Sequence, residues 1–231
     1  MAVANKSTNW FVVGVSAAVV VVLVGLIGLV WFMNNQATAP GAAPKSDIVN
    51  TETGAISFGS GDDEIDTYFD FMCPICGQFE DAYGEQLQTA AANDEITLNI
   101  HPVSILNRLS TTGDFSSRAA GAMYCVAEEA PDATLDYFNL IFANQPAENS
   151  AGLSDAEMSA FAEQVGAGAA ADCIADGTYT KFADDQTKSQ NITGTPTVEV
   201  NGTRIENADI ATEFAKILGG ASGTGSDGSG E

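Results

Sequence analysis

Phe71-Met72-Cys73-Pro74-Ile75-Cys76-Gly77-Gln78-Phe79-Glu80 sets two cysteines three residues apart, after the apolar run 65–71 and before an amphipathic pattern. Cys76, Phe79, Tyr83 and Leu87 recur at helical spacing, so a helix is expected to begin at the motif and end near Ala92. Pro74 suits the first helical position, where its missing N–H costs nothing, and Cys73 becomes the N-cap. There its sulfur faces the free N–H groups of Ile75 and Cys76 and the positive end of the helix dipole, which favour a thiolate. Cys76, one turn deeper, is less exposed. One activated sulfur beside a resolving partner is what thiol–disulfide exchange requires.

Half of a zinc site is the competing interpretation. Tetrahedral zinc takes four Cys or His ligands, usually as two close pairs. Cys125 and Cys173 are far apart, and His101 is the only histidine. The spacing therefore favours redox chemistry, with no metal and no cofactor expected.

Residues 10–33 contain no charge and are bracketed by Trp10, Phe11, Trp31 and Phe32. At about 1.5 Å per residue such a helix spans the roughly 30 Å of a bilayer core, with aromatic residues at both interfaces. A cleaved signal peptide would fit Ala37-Thr38-Ala39, but the apolar region is too long and Pro40 would follow the cut. A retained anchor is preferred. Lys6 before it and Lys45 after it place a short N-terminus (1–9) in the cytoplasm and the rest outside the cell membrane, single-pass. An even number of cysteines suits that oxidising side. Residues 34–50 have a linker composition, with a reach of about 20 to 25 Å, and 219–231 form a Gly/Ser-rich tail expected to be disordered.

Residues 51–218 have the size of one domain. All 31 Asp and Glu lie beyond residue 46, with only six of the eight Lys and Arg. That excess disfavours nucleic acid and repels anionic lipid, leaving the anchor as the membrane attachment.

Short strands are expected at 55–58 and 64–70, with Gly59-Ser60-Gly61-Asp62 between them, and a half-buried strand at 96–100 after the motif helix. Residues 104–190 show helical signals: 114–129, 134–142, a capping box of Ser154 with Glu157 before a helix to Val165, 167–175 and 179–190. Strands return at 197–200 and 203–205 around Asn201-Gly202, the strongest short hairpin signal. A last helix carries Ile210, Phe214, Ile217 and Leu218 on one face.

Cys73-Pro74-Ile75-Cys76, Gly194-Thr195-Pro196-Thr197 before the hairpin, the helical block between them, and Ser110 to Ala120 running into Cys125 resemble the DsbA-like thioredoxin-fold thiol:disulfide oxidoreductases, over residues 52–218. The resemblance implies an α/β thioredoxin fold with a helical insertion at 104–190 between the βαβ unit and the C-terminal ββα unit, preceded by one transmembrane helix. It implies a catalytic Cys73 and Cys76, supported by Pro74, Ile75, a cis Thr195-Pro196 bond and a Thr195 backbone that pairs with substrate. The implied activity is a disulfide-donating oxidase acting on thiol-containing exported polypeptides, a monomer re-oxidised by a membrane quinone-linked oxidase of the DsbB or vitamin K epoxide reductase type. A reductase, an isomerase or a tethered peptide-binding module are the alternatives.

Two departures from the family pattern stand out. Thr67 occupies the position, six before Cys73, where the family often carries a buried acid, and Asp66 is expected on the opposite strand face. The dipeptide between the cysteines is Pro74-Ile75, without the histidine of the best-known oxidases, and Asp70 and Glu80, if close in space, are expected to oppose the helix dipole by raising the thiol pKa, so a milder poise is expected. Cys125 and Cys173 are either a structural disulfide within the helical block, which an exported compartment favours, or two buried thiols. His101, at a strand end before Pro102, is read as structural or solvated.

Overall fold

The computed structural model describes residues 10–38 and 40–221, in two units divided at Pro40 and Gly41. The first is a single helix, α1 (Trp10–Thr38), within which Val13–Met33 is long and apolar enough to cross a membrane, at a mean hydropathy of 2.8. It runs past residue 33 into the stretch read as linker. The short N-terminus 1–9 and residues 222–231 of the tail lie outside the described residues; the tail's first residues, 219–221, belong to the last helix.

The second unit begins at Gly41, earlier than the composition suggested. Residues 41–50 pack on it: the Gly41 amide donates to Asp185 (2.9 Å), Ser46 Oγ donates to the Ala127 carbonyl (2.5 Å), and Pro44 and Val49 are buried. Here two apolar side chains and a few backbone groups outweigh a Pro/Gly/Ala composition that otherwise signals a free chain.

Five strands, β1 (Ile56–Phe58), β2 (Asp63–Phe69), β3 (Ile96–Pro102), β4 (Thr197–Val200) and β5 (Thr203–Ile205), form one sheet in the order β1-β3-β2-β4-β5. The β2–β3 pair is parallel and the others antiparallel. The parallel pair demands a crossover, supplied by α2 (Pro74–Phe79), a π-helical turn (Glu80–Gly84) and α3 (Glu85–Ala92). The expected uninterrupted helix thus contains a π turn, where a methyl on Gly84 would collide with the Glu80 carboxylate. The hairpin turns at Asn201 and Gly202, both at positive φ, as a two-residue loop requires.

Between β3 and β4 lie α4 (Phe115–Glu129), α5 (Thr134–Ala143), α6 (Asp155–Gln164), α7 (Ala171–Asp176) and α8 (Thr180–Ser189). The capping box forms as read: the Glu157 amide donates to Ser154 Oγ, and the Ser154 amide to Glu157 Oε2 (2.8 Å). The helix expected at 167–175 is split into a 3-10 turn, Gly168–Ala170, and α7. Cys125 on α4 and Cys173 on α7 are bonded, with Cα atoms 5.7 Å apart. α9 (Ile210–Ala221) returns to the sheet, its Phe214 ring set edge-on against Phe79 and Tyr83. This is the thioredoxin fold with a helical insertion, as the sequence implied.

Candidate active site

Parallel β2 ends at Phe69, and the chain turns through Asp70, Phe71 and Met72 into α2 at the carboxyl edge of the sheet, where open α/β sheets place their sites. Cys73 is the N-cap, with extended backbone (φ −83, ψ 111), and Pro74 occupies the first turn. The Cys73 carbonyl accepts from the amides of Cys76 (3.0 Å) and Gly77 (3.3 Å), which starts the helix. Cys73 is 5% exposed and Cys76 0%, so attack on the pair comes through the narrow opening at Cys73. Both sulfurs are free thiols. Ile75 between them is 52% exposed.

The Thr195-Pro196 bond is cis, and Cys73 Sγ lies 3.4 Å from the Thr195 carbonyl, to which the protonated thiol donates, so the loop before β4 reaches the motif across 122 residues of chain. A cleft of ≈ 510 Å³ opens beside Pro74 and Gly77, between the motif helix with Asp81 and Glu85 and the Phe142 end of α5.

The thiols are driven apart in acidity. Cys73 is lowered from 9.0 to about 6: the Cys76 thiol donates to it, burial opposes, and the Thr195 side chain and the amides of Cys76 and Ile75 add to the lowering. Cys76 is pushed up, by burial first and then by donating to, and facing, the Cys73 charge. At neutral pH the dithiol therefore carries one anion, on Cys73.

Two carboxyl groups need separate accounts. Asp70 is fully buried and accepts from Ser116 Oγ (2.7 Å) and the amides of Met72 (2.9 Å) and Leu106 (2.8 Å). Burial raises it to about 6 against those hydrogen bonds, and Cys73 adds to the rise. Glu80 is raised to about 8 by burial and by Asp81; it lies among Thr67, Phe69, Leu87, Leu98 and Ile100. The repulsion expected between Asp70 and Cys73 is present and raises Asp70, but local hydrogen bonds outweigh it at Cys73, whose pKa is lowered; Glu80 is raised by burial and Asp81, not by Cys73. Thr67, with no charge to offer, is fully buried and donates to the Asn99 carbonyl (3.3 Å). Asp66 does face the other side, bonded to His101 Nε2 (2.8 Å), and His101 stacks on Tyr68 with ring centroids 4.2 Å apart. His101 is buried in β3, as a structural residue.

Sequence reasoning missed Gln145. Its side-chain amide donates to the carbonyls of Cys73 (2.8 Å) and Phe71 (3.2 Å), from 72 residues away. Only Pro146, which stops α5 and pushes its predecessor out of helical backbone, hinted that this position was special.

A dithiol at the mouth of the crossover helix, faced by a cis-proline loop, defines a thioredoxin-fold redox domain. The chain belongs to the thioredoxin family, whose model matches residues 58–219. Its likeness is to DsbA-type thiol-disulfide oxidoreductases. Oxidised Mtb DsbA is 29% identical, with 74% of this chain and 100% of that one covered at a TM-score of 0.64. The reduced disulfide bond oxidoreductase DsbG from Mycobacterium tuberculosis is 28% identical over 75% and 95% of the two chains, at 0.63. Among curated proteins, the serine/threonine-protein kinase PknE of Mycobacterium tuberculosis is 31% identical over 167 residues, 67% of this chain. The chain spans 29% of that relative's length.

Proposed function

We propose that this protein is a membrane-anchored, extracytoplasmic thiol:disulfide oxidoreductase that donates the Cys73–Cys76 disulfide to exported polypeptides. The observation that carries the reading is the asymmetry of the pair: an acidic, marginally exposed Cys73 over a buried Cys76. In the oxidised form, a substrate thiolate attacks Cys73 Sγ and the electrons of the broken bond leave on Cys76, which takes up a proton. The substrate's second thiolate then attacks its own sulfur in the mixed disulfide. Cys73 departs as the thiolate, readily because its pKa is low. The substrate gains a disulfide and the enzyme holds two electrons.

Thr195, beside Cys73, aligns the substrate's extended backbone, and Pro74 and Ile75 shape the contact. Cys125–Cys173 ties the insertion together and stays out of the exchange. A membrane quinone-linked oxidase of the DsbB or vitamin K epoxide reductase type would accept the electrons, and α1 would keep the domain at the membrane where such a partner resides. A Cys73 thiol lowered to about 6 stabilises the reduced form and so favours a disulfide that oxidises other thiols.

The test is oxidation of a reduced, unfolded model protein by the disulfide form, together with trapping by Cys76→Ala. The reading requires net oxidation and mixed disulfides through Cys73. A potential at or below thioredoxin's would make the protein a reductase, and no mixed disulfide would make it a binding module.

A further inference from the structure

The helical insertion reaches the backbone of Cys73 itself through the side chain of Gln145. Phe138 and Phe142 of α5 pack on Phe71 (ring centroids 5.9 and 5.1 Å), which fixes the end of α5 against the motif turn. α5 stops two residues before Gln145, and Pro146 follows. The Gln145 amide nitrogen then donates to the carbonyls of Phe71 and Cys73, the peptides on either side of Met72-Cys73. The Cys73 carbonyl is also the acceptor for the first turn of α2, so Gln145 holds the group from which the amides facing the sulfur are oriented.

Gly77 provides the space. A methyl there would stand 2.6 Å from Gln145 Oε1, and the next nearest atoms, Cδ at 3.4 Å and Nε2 at 3.7 Å, belong to the same side chain. Glycine inside a helix costs stability relative to alanine, so its presence in α2 calls for a reason, and the Gln145 contact is one.

We propose that Gln145 is a positioning residue through which the helical insertion sets the stability of the Cys73 thiolate, with Gly77 kept small to admit it. The amide offsets the negative end of the Cys73 carbonyl dipole near the sulfur and keeps the Ile75 and Cys76 N–H groups aimed at it. This deepens the proposed function, resting on Cys73 as the exchanging sulfur, yet its test reads the thiolate itself and needs no substrate.

The experiment titrates Cys73 in the reduced full chain, purified in detergent, by the pH dependence of its alkylation, and measures the thiol–disulfide equilibrium with glutathione. The wild type is compared with Gln145→Ala, Gly77→Ala and the double variant. Loss of the two Gln145 hydrogen bonds beside the anion is expected to lower the Cys73 acid constant roughly three- to tenfold, and to make the disulfide less oxidising by a similar factor. Gly77→Ala should act in the same direction while retaining the fold, because alanine favours helix. The double variant should match Gln145→Ala alone, since the added methyl then meets no glutamine. Wild-type titration of Gly77→Ala, or shifts that add in the double variant, would overturn the proposal. If the titrations shift as expected but no polypeptide is oxidised, the positioning role stands and the proposed function fails.

Discussion

Asp70 Oδ1 accepts a 2.7 Å hydrogen bond from Ser116 Oγ, joining the turn before Cys73 to the second residue of α4, 46 positions later. With the Leu106 amide on Oδ2, this carboxyl group fastens the motif turn to the insertion from beneath, as Gln145 does from the side. Three donors surround it, and no lysine or arginine pairs with it among the described residues. The three donors favour the carboxylate, but burial without a counter-charge outweighs them, so ionising this acid costs the fold stability.

That arrangement gives a pH dependence. The folded pKa of Asp70, about 6, lies above the ordinary 3.8, so the folded state binds the proton more tightly than the unfolded chain. Its stabilising contribution is complete below 3.8 and is lost as pH rises through 6, a change of about 3 kcal/mol. Denaturation of wild type and Asp70→Asn at several pH values measures it. The wild type should lose stability relative to the variant between these limits; parallel curves would refute the assignment.

Glu80 follows the same sign over a higher window. It is raised from 4.5 to about 8, so the stability it lends is complete below 4.5 and is lost as pH rises through 8. Glu80→Gln is therefore expected to be near neutral at pH 5 and stabilising at pH 9, read from denaturant midpoints. Because burial and Asp81, not Cys73, raise Glu80, the Cys73 titration should not move.

The two redox forms should differ in stability in the opposite sense. In the dithiol, Cys73 is depressed from 9.0 to about 6, so the extra stability of the reduced fold is full above 9 and lost as pH falls through 6. The disulfide, with no thiol to ionise, gains no such stability. Denaturation of both forms across this range should show the reduced-minus-oxidised difference growing with pH, which is also the reason the disulfide oxidises other thiols.

Cys125 and Cys173 close 48 residues of chain. Replacing both by Ala is expected to destabilise the domain by up to about 4 kcal/mol on the chain-entropy estimate. Alkylation of Cys73 should keep its wild-type pH profile, since that sulfur does not contact the pair. Mass analysis of the oxidised protein should find the two joined.

The elements nearest the motif were the most legible. The run into Cys73, Pro74 at the helix start, and Asn201-Gly202 between alternating residues are local signals, and local backbone preference decided those elements. The π turn at Glu80–Gly84 was not legible, because the spacing of Cys76, Phe79, Tyr83 and Leu87 is also that of an unbroken helix. Residues 41–50 read as linker because composition reports intrinsic preference, whereas Gly41 and Ser46 are tied to Asp185 and Ala127, far along the chain. Cys73 and Cys76 could be singled out from their spacing alone. Asp70 was seen only as a charge, since its burial and its bonds to Leu106 and Ser116 arise when the insertion folds over the motif. Gln145 left almost no trace, for a glutamine in a loop has many roles and its two acceptors lie 72 and 74 residues earlier.

The measurement closest to the heart of this account is the ionisation of Cys73 in the reduced full chain, followed by thiolate ultraviolet absorbance and by alkylation rate as a function of pH. A single inflection near pH 6, with Cys76 silent through neutrality, is the expected result. An inflection near 9, as for an ordinary cysteine, would contradict it.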